Sequence, residues 1–503
     1  MGLAVACLLA LGLAGCPQDR QASAEAVLRV GLAQMPMSAD PRYATDAASM
    51  RIQRFLHRGL IRMDRHFRPQ PDLAESWSHP DPLLWRLHLR DGIRFHDGRN
   101  VTAMDAVATL NAILDPAMAS PLRGGFSAIR EVRAVDEHTL EIRLKSPDAS
   151  LLTRLTIGIL PKDQARGPQR AHRITGCGAF RLSAWRDGRV ELVRVEPAPP
   201  GRAARLRFET VKDPVTRILK ISRGELDFIQ NDLPPHLLGY LHRQKQLKLQ
   251  TIPSTTFSYI GLNLQDPALS DLRVRRALAL ALDRVRLKRA LFADLPVLAE
   301  TILTPGHWAT TDLPGTPYDP AQAVRLLDAA GFPPDKDGVR LRLSYRTSTD
   351  PTRLRLATAI ASMWGRIGIR VEVQSMEWGG FYARIRRGDF QVYSLSWVGI
   401  TDPDIYRWVL HSSMWPPKGA NRGRYADADM DRWLDQAAAS EDTRLRRSLY
   451  AKIQRRMQRD MVYIPLWFEP VVAVSGPRLS GFEPRPDGDL LGLADARFAP
   501  EAR

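Results

Sequence analysis

The amino-acid sequence predicts an α/β protein of more than one domain, on three observations. Its 503 residues exceed what a single hydrophobic core accommodates, so two or three domains are expected. Its content of 44% apolar and 25% charged residues is that of an ordinary globular chain. Near its middle, a strand pattern passes directly into a helix pattern. In 257–264, Ile260, Leu262 and Leu264 alternate with Tyr259, Gly261 and Asn263, which predicts a strand with one buried and one more polar side. Asp271 then stands at an N-cap position, and Val274, Ala277, Leu278, Ala281, Leu282 and Val285 form one apolar helical stripe. This stretch is expected to carry the chain from one lobe into a second.

From the N-terminus, residues 3–13 form an apolar segment too short to cross a bilayer, followed by Leu13-Ala-Gly-Cys16. This reads as a secretory signal over 1–16, with the small and polar residues 17–26 as a tether. Once Cys7 is removed with the signal, Cys177 is the one thiol besides Cys16, so no internal disulfide is expected. The net charge of +17 comes from 62 arginines and ten lysines spread along the chain. That is the pattern of a solvated surface, not of a nucleic-acid stripe.

Residues 27–33 alternate like a first strand, and 35–41, with Met37, form a Pro-rich loop. Helical spacing runs over 47–60 through Met50, Phe55, Leu56 and Leu60. In 89–105, Asp91-Gly92 and Asp97-Gly98 are turn dipeptides around a short strand, 93–95. Thr102 caps a helix whose N3 residue is Asp105, a variant of the capping box, and Asp115-Pro116 ends it. His96 beside Asp97 is assigned to the turn, not to a metal or a base. Residues 463–468 and 471–474 read as two strands. No Gly-x-Ser-x-Gly, His-Glu-x-x-His, Cys-x-x-Cys or P-loop pattern occurs, so binding is the simpler reading, with no catalytic residue, metal or cofactor assigned.

Several segments in order resemble the extracellular solute-binding proteins of the dipeptide, oligopeptide and nickel class (family 5), which serve bacterial ABC importers. Phe95-His-Asp-Gly98 with the helix opened by Thr102 resembles that class's most diagnostic stretch. Thr175-Gly-Cys-Gly-Ala-Phe180 resembles its Gly-Thr-Gly-Pro-Tyr turn, and Ser222-Arg-Gly-Glu-Leu-Asp227 its Ser-Gly-Glu-Ile-Asp segment. The stretch 257–284, the Tyr318-to-Gly331 repeat, Gly368-to-Glu372 and Gly388-Asp-Phe390 continue the likeness. Leu13-Ala-Gly-Cys16 resembles a lipoprotein lipobox, with the departure that no Lys or Arg precedes Cys16, which leaves room for a start upstream of Met1.

The resemblance implies a two-lobed periplasmic-binding-protein fold (type II, cluster C-like) with a hinge. Lobe I is placed at 25–50, 172–256 and 466–503, an inserted subdomain of lobe I at 51–171, and lobe II at 257–465. The implied protein is a monomer on the periplasmic side of the envelope, anchored to the membrane by lipid on Cys16. It would take a peptide-like or other small polar solute in the interlobe cleft and deliver it to a permease of two membrane subunits with ATPases. The alternative is a sensor or regulatory protein of the same fold that does not transport.

The resemblance also places site residues. Trp397 and Trp378 are candidate pocket walls, large stiff faces suited to a wet cleft. Arg346 is the candidate clamp for a ligand carboxylate, because a guanidinium offers two parallel donors. Tyr259 and Asn263, on the more polar side of their strand, and Met37 complete the ligand-facing set. In peptide binders an aspartate after the Trp pairs with the ligand ammonium. Here Ile400 takes that place, and Asp402 aligns with the acid before Pro403. A buried ammonium left unpaired costs about 3–5 kcal/mol, so an acidic or neutral solute is expected.

Overall fold

The computed structural model describes residues 26–498; Cys16, the signal and most of the tether lie outside them. Two long antiparallel strands, Lys248–Leu262 and Tyr463–Ser475, run side by side through the middle of the molecule. At one end Ala473 to Ser475 pair with Phe228–Gln230, which continues into Val27–Leu32 and Arg205–Thr210, both parallel to it or to each other. At the other end Phe257 to Leu262 pair with Val392–Trp397, followed by Leu341–Ser348 and Ile369–Met376 in parallel. The two long strands therefore join the strands at both ends into one 11-stranded sheet. The residues expected as two strands at 463–474 are one continuous strand.

A separate four-stranded antiparallel sheet, Ala74–Asp81, Leu84–Leu89, Ile129–Ala134 and Thr139–Leu144, lies within the predicted insert. Helix Ala103–Leu114 covers it, burying Ala106, Leu110 and Ile113. The capping box forms: the Asp105 carboxylate accepts from the Thr102 N–H and hydroxyl, each at 2.8 Å, and from the Lys162 N–H at 2.8 Å. The stretch 93–95 is not a strand. It makes a single bridge, Arg94 to Asn100, because both flanking turns fold back within seven residues.

Three other expectations shift. Helix Ala47–Leu56 stops four residues early, and its Ile52, Phe55 and Leu56 pack in one cluster with Leu28, Val30 and Phe180. The predicted stripe 274–285 is broken at Ala281: helix Leu272–Leu280 ends there, and Val285 lies exposed on the next helix, Arg284–Phe292. The strand around Tyr259 has no polar side. Tyr259 and Ile260 are both fully buried, as expected of a central strand covered on both faces.

The turn at Gly176 and Gly178 shows why glycine stands there. A Cβ on Gly176 would sit 1.8 Å from the Leu56 carbonyl oxygen, and one on Gly178 2.3 Å from that of Phe55. The His96 N–H donates to the Gly176 carbonyl at 2.8 Å, and its ring Nε2 lies 3.0 Å from the Gly178 carbonyl. His96 thus braces this turn. Between the glycines Cys177 is buried, and burial pushes its thiol up to about 11, which keeps it protonated and inert. Gly176→Ala should cost at least about 1–3 kcal/mol by overpacking, read as a lower midpoint in urea unfolding.

Candidate functional site

A cleft of about 990 Å³ opens between the two lobes. Its floor is an irregularity in the long strands. Pro253 pairs with Pro470 and Phe257 with Phe468, so Ser254, Thr255 and Thr256 face the single residue Glu469. All four line the cleft. The backbone groups released from the ladder find partners in both lobes: Thr255 N–H donates to the Pro486 carbonyl at 2.9 Å, and the Thr255 carbonyl accepts from Ile400 N–H at 3.1 Å. The Ser258 and Ser396 hydroxyls approach Glu469 Oε1 at 2.9 and 3.0 Å.

On the lobe I side the wall is helix Ala47–Leu56, presenting Met50, Arg51 and Arg54. Arg54 pairs with Asp489 at 2.9 Å. Arg51 has no carboxylate within 4 Å among the described residues; burial lowers its pKa, opposed by the more distant Asp232, Asp489 and Asp487. On the lobe II side helix Pro351–Gly365 begins at the cleft. Asp350 caps it, accepting from the Thr352 and Arg353 N–H groups at 3.0 and 2.9 Å. Arg353 lines the cleft, and its Cζ lies 5.5 Å from the Trp378 ring centre. It too has no ion-pair partner among the described residues. Two unneutralised guanidiniums, one on each wall, can hold a carboxylate.

The sequence-predicted residues fall elsewhere. Arg346 is engaged by Asp389 at 2.7 Å and Gln374 at 2.8 Å, outside the cleft lining. Asp402 accepts from the Ser150 hydroxyl and the Asp404 N–H, both at 2.7 Å, and so ties the insert to lobe II. Asn263 donates to the Phe390 carbonyl at 3.0 Å, tying its loop to the segment before strand Val392–Trp397. Met37 is 73% exposed and contributes a backbone N–H to Ser49. Ile400 is buried in the lobe II core.

The structure brings together Tyr259, Trp397 and Trp378, around a residue the sequence reading passed over. Trp378 stacks on Tyr382 and Trp397 on Tyr259, each pair within 9° of parallel. Arg422 lies between the pairs, 4.5 Å above Trp397 and 5.5 Å above Tyr382. It donates to the hydroxyls of Tyr259 and Tyr382 at 3.0 and 3.2 Å. This ladder stiffens lobe II behind the cleft. Trp397 joins it because strand alternation sends Ser394 and Ser396 to the cleft and Trp397 to the other face. Glu469 did leave a signal, as a lone acid in the apolar run 463–474.

A fold of two lobes joined by crossing strands, with a cleft between them, is that of a protein that binds a solute between hinged halves. The chain belongs to the bacterial extracellular solute-binding proteins, family 5, whose middle-region model matches residues 68–415. It is 26% identical over 502 residues to the glutathione-binding protein GsiB of Escherichia coli O1:K1, covering 95% of this chain and 96% of that one. It is 25% identical over 498 residues to the periplasmic oligopeptide-binding protein OppA of Salmonella typhimurium, covering 88% and 87%. The structure of HbpA2 from Haemophilus parasuis superposes with a TM-score of 0.85 at 23% identity, covering 95% and 100%. The chain is thus a substrate-binding protein of the kind that serves ABC importers. Among the described residues no helix is long and apolar enough to cross a membrane.

Where the insert meets lobe II, burial and the neighbouring Asp402 and Asp148 push the Asp404 carboxyl up to about 6. An acid with a raised folded pKa holds its proton more tightly when folded. Its contribution to stability is therefore full below the ordinary value of 3.8 and is lost as pH rises through about 6. D404N should raise Tm at pH 8 and change it little at pH 4; an equal shift at both pH values would exclude protonation as the cause.

Proposed function

We propose that this protein captures a peptide-like solute bearing a carboxylate and hands it to an ABC permease, without covalent chemistry. The observation that carries this reading is the placement of Arg353 at the mouth of a helix on the cleft wall, with no carboxylate of its own, and of Arg51 facing the same space. The relatives that bind glutathione and oligopeptides support a peptide-like solute. Arg353 takes the role expected of Arg346: it stands seven residues further on, one strand end and one capped turn later. Trp378 contributes from behind, its ring face supporting the Arg353 guanidinium.

The same proposal places the protein on the periplasmic side as a monomer, tethered by lipid on Cys16. The Leu-Ala-Gly-Cys16 ending and the extracellular family support it. C16A should move the protein from the membrane fraction to the soluble fraction. The binding reading is tested with a tripeptide library scored by native mass spectrometry. Loss of a charge-assisted hydrogen bond worth about 1.5–3 kcal/mol should make R353A bind about 10- to 100-fold more weakly, while R346A stays within about threefold. Equal losses in the two variants would reject the assignment of Arg353.

A further inference from the structure

The cleft carries a negative pole that the solute-binding reading leaves unused. Glu469 is an exposed carboxylate at the floor, in a strand otherwise built of Tyr463, Ile464, Leu466, Trp467, Phe468, Val471 and Val472, all buried. A glutamate at that place adds nothing to the core. It is nevertheless held in one orientation. Oε1 receives the hydroxyls of Ser258, from the first crossing strand, and Ser396, from lobe II, at 2.9 and 3.0 Å. The two hydroxyls themselves stand 2.8 Å apart. Oε2 has no hydrogen-bond or ion-pair partner among the described residues, and no guanidinium of the cleft lies within 4 Å of the carboxylate.

We propose that Glu469, with Ser258 and Ser396, is the subsite for a primary ammonium of the solute, so that the cleft selects zwitterions whose opposite charges meet Glu469 and the Arg353 side. This rests on the solute-binding reading above and names its substrate class. The donor count selects the kind of cation. With two hydroxyls already on Oε1, the carboxylate cannot offer both oxygens to the parallel fork of a guanidinium. An ammonium has three donors that point apart. Oε2 and the remaining lone pairs of the two serine hydroxyls suit it. A single carboxylate with two hydroxyls falls short of the all-oxygen shell a divalent ion needs. The position gives the subsite a second effect. Glu469 sits where the crossing strands lose their pairing and its serines come from two strands, so a cation bound there bears on the segment about which the lobes would close. On this proposal the solute carries an ammonium as well as a carboxylate, in contrast to the acidic or neutral solute expected from Arg346 and Ile400.

The test uses the full chain in detergent and a library of tripeptides mixed with their N-acetylated and C-amidated counterparts, retained species being scored by native mass spectrometry. Wild type should retain free over N-acetylated peptides by about tenfold or more, the order expected for a charge-assisted contact. E469Q keeps the shape and the serine hydrogen bonds; it should lose that preference while still favouring free carboxylate over amide. R353Q should do the reverse. An undiminished amine preference in E469Q overturns the subsite, even when R353Q behaves as expected and the carboxylate reading stands. Loss of both preferences in E469Q also overturns it, since the floor would then act only as structure. A wild-type chain that retains no library member overturns the subsite and the peptide-like reading together, whereas indifference of wild type to C-amidation with the amine preference intact rejects the Arg353 reading alone.

Discussion

The pairing of Lys248–Leu262 with Tyr463–Ser475 is the constraint from which the rest of the structure follows. Because both strands lie in the one sheet that runs through both lobes, the lobes share a backbone ladder, not merely a surface contact. A ladder continuous over its full length would hold them as one stiff twisted sheet. It is interrupted where Ser254, Thr255 and Thr256 oppose Glu469 alone, and an irregularity of this kind bends a strand and frees its backbone. The freed groups are not left unsatisfied. Pro486 takes the Thr255 N–H, Ile400 supplies the donor for its carbonyl, and the Ser254 hydroxyl accepts from Thr256 N–H at 3.0 Å. These partners come from loops on either side, so the place where the sheet can flex is also the place where both lobes converge. A cleft floor and a hinge become the same few residues.

Local chemistry was legible in the sequence, and its limits are physical. The Thr102–Asp105 box and the Asp271 cap involve residues close in the chain, and they form as read. The faces of strand 257–262 were not legible, because alternation reports polarity and not cover. The phenol of Tyr259 looks solvent-seeking until Arg422, 163 residues away, supplies its donor. The choice between Arg346 and Arg353 is of the same sort. Both flank one loop, and only Asp389, 43 residues beyond Arg346, decides which guanidinium is committed. Trp397 was placed one residue from the cleft by its neighbours Ser396 and Val398, yet strand geometry turns it away. Side-chain direction changes with every residue, so a family likeness that locates a segment does not locate its faces.

The arginine-rich composition finds its explanation in the core as much as on the surface. Arg42 is fully buried; it pairs with Asp40 at 2.7 Å and donates to the carbonyls of Ala165 and Gly167. Arg275 closes the carbonyls of Leu269, Ser270 and Asp460, and Arg284 those of Ala299 and Pro465. In each case one planar group with five donors gathers several carbonyl groups, from two separate segments for Arg275 and Arg284, which a lysine ammonium on a flexible stem does poorly. Net charge is thus a poor guide to partners in this chain, since many of its cations serve as internal staples.

What distinguishes the cleft is therefore not that it contains arginine but that its arginines are left uncommitted. Arg54 is neutralised by Asp489, whereas Arg51 and Arg353 face open space with acids only at longer range. A buried or half-buried charge without a partner costs stability unless something outside the chain completes it. The same reasoning holds for a carboxylate oriented by two hydroxyls with one oxygen unused. Arg51, Arg353 and the second oxygen of Glu469 lie around one volume, between two lobes, beside a break in the pairing of the strands that join them. On the proposed reading a solute is their partner, and its binding would reward the closed arrangement in proportion to how many of these groups it satisfies at once.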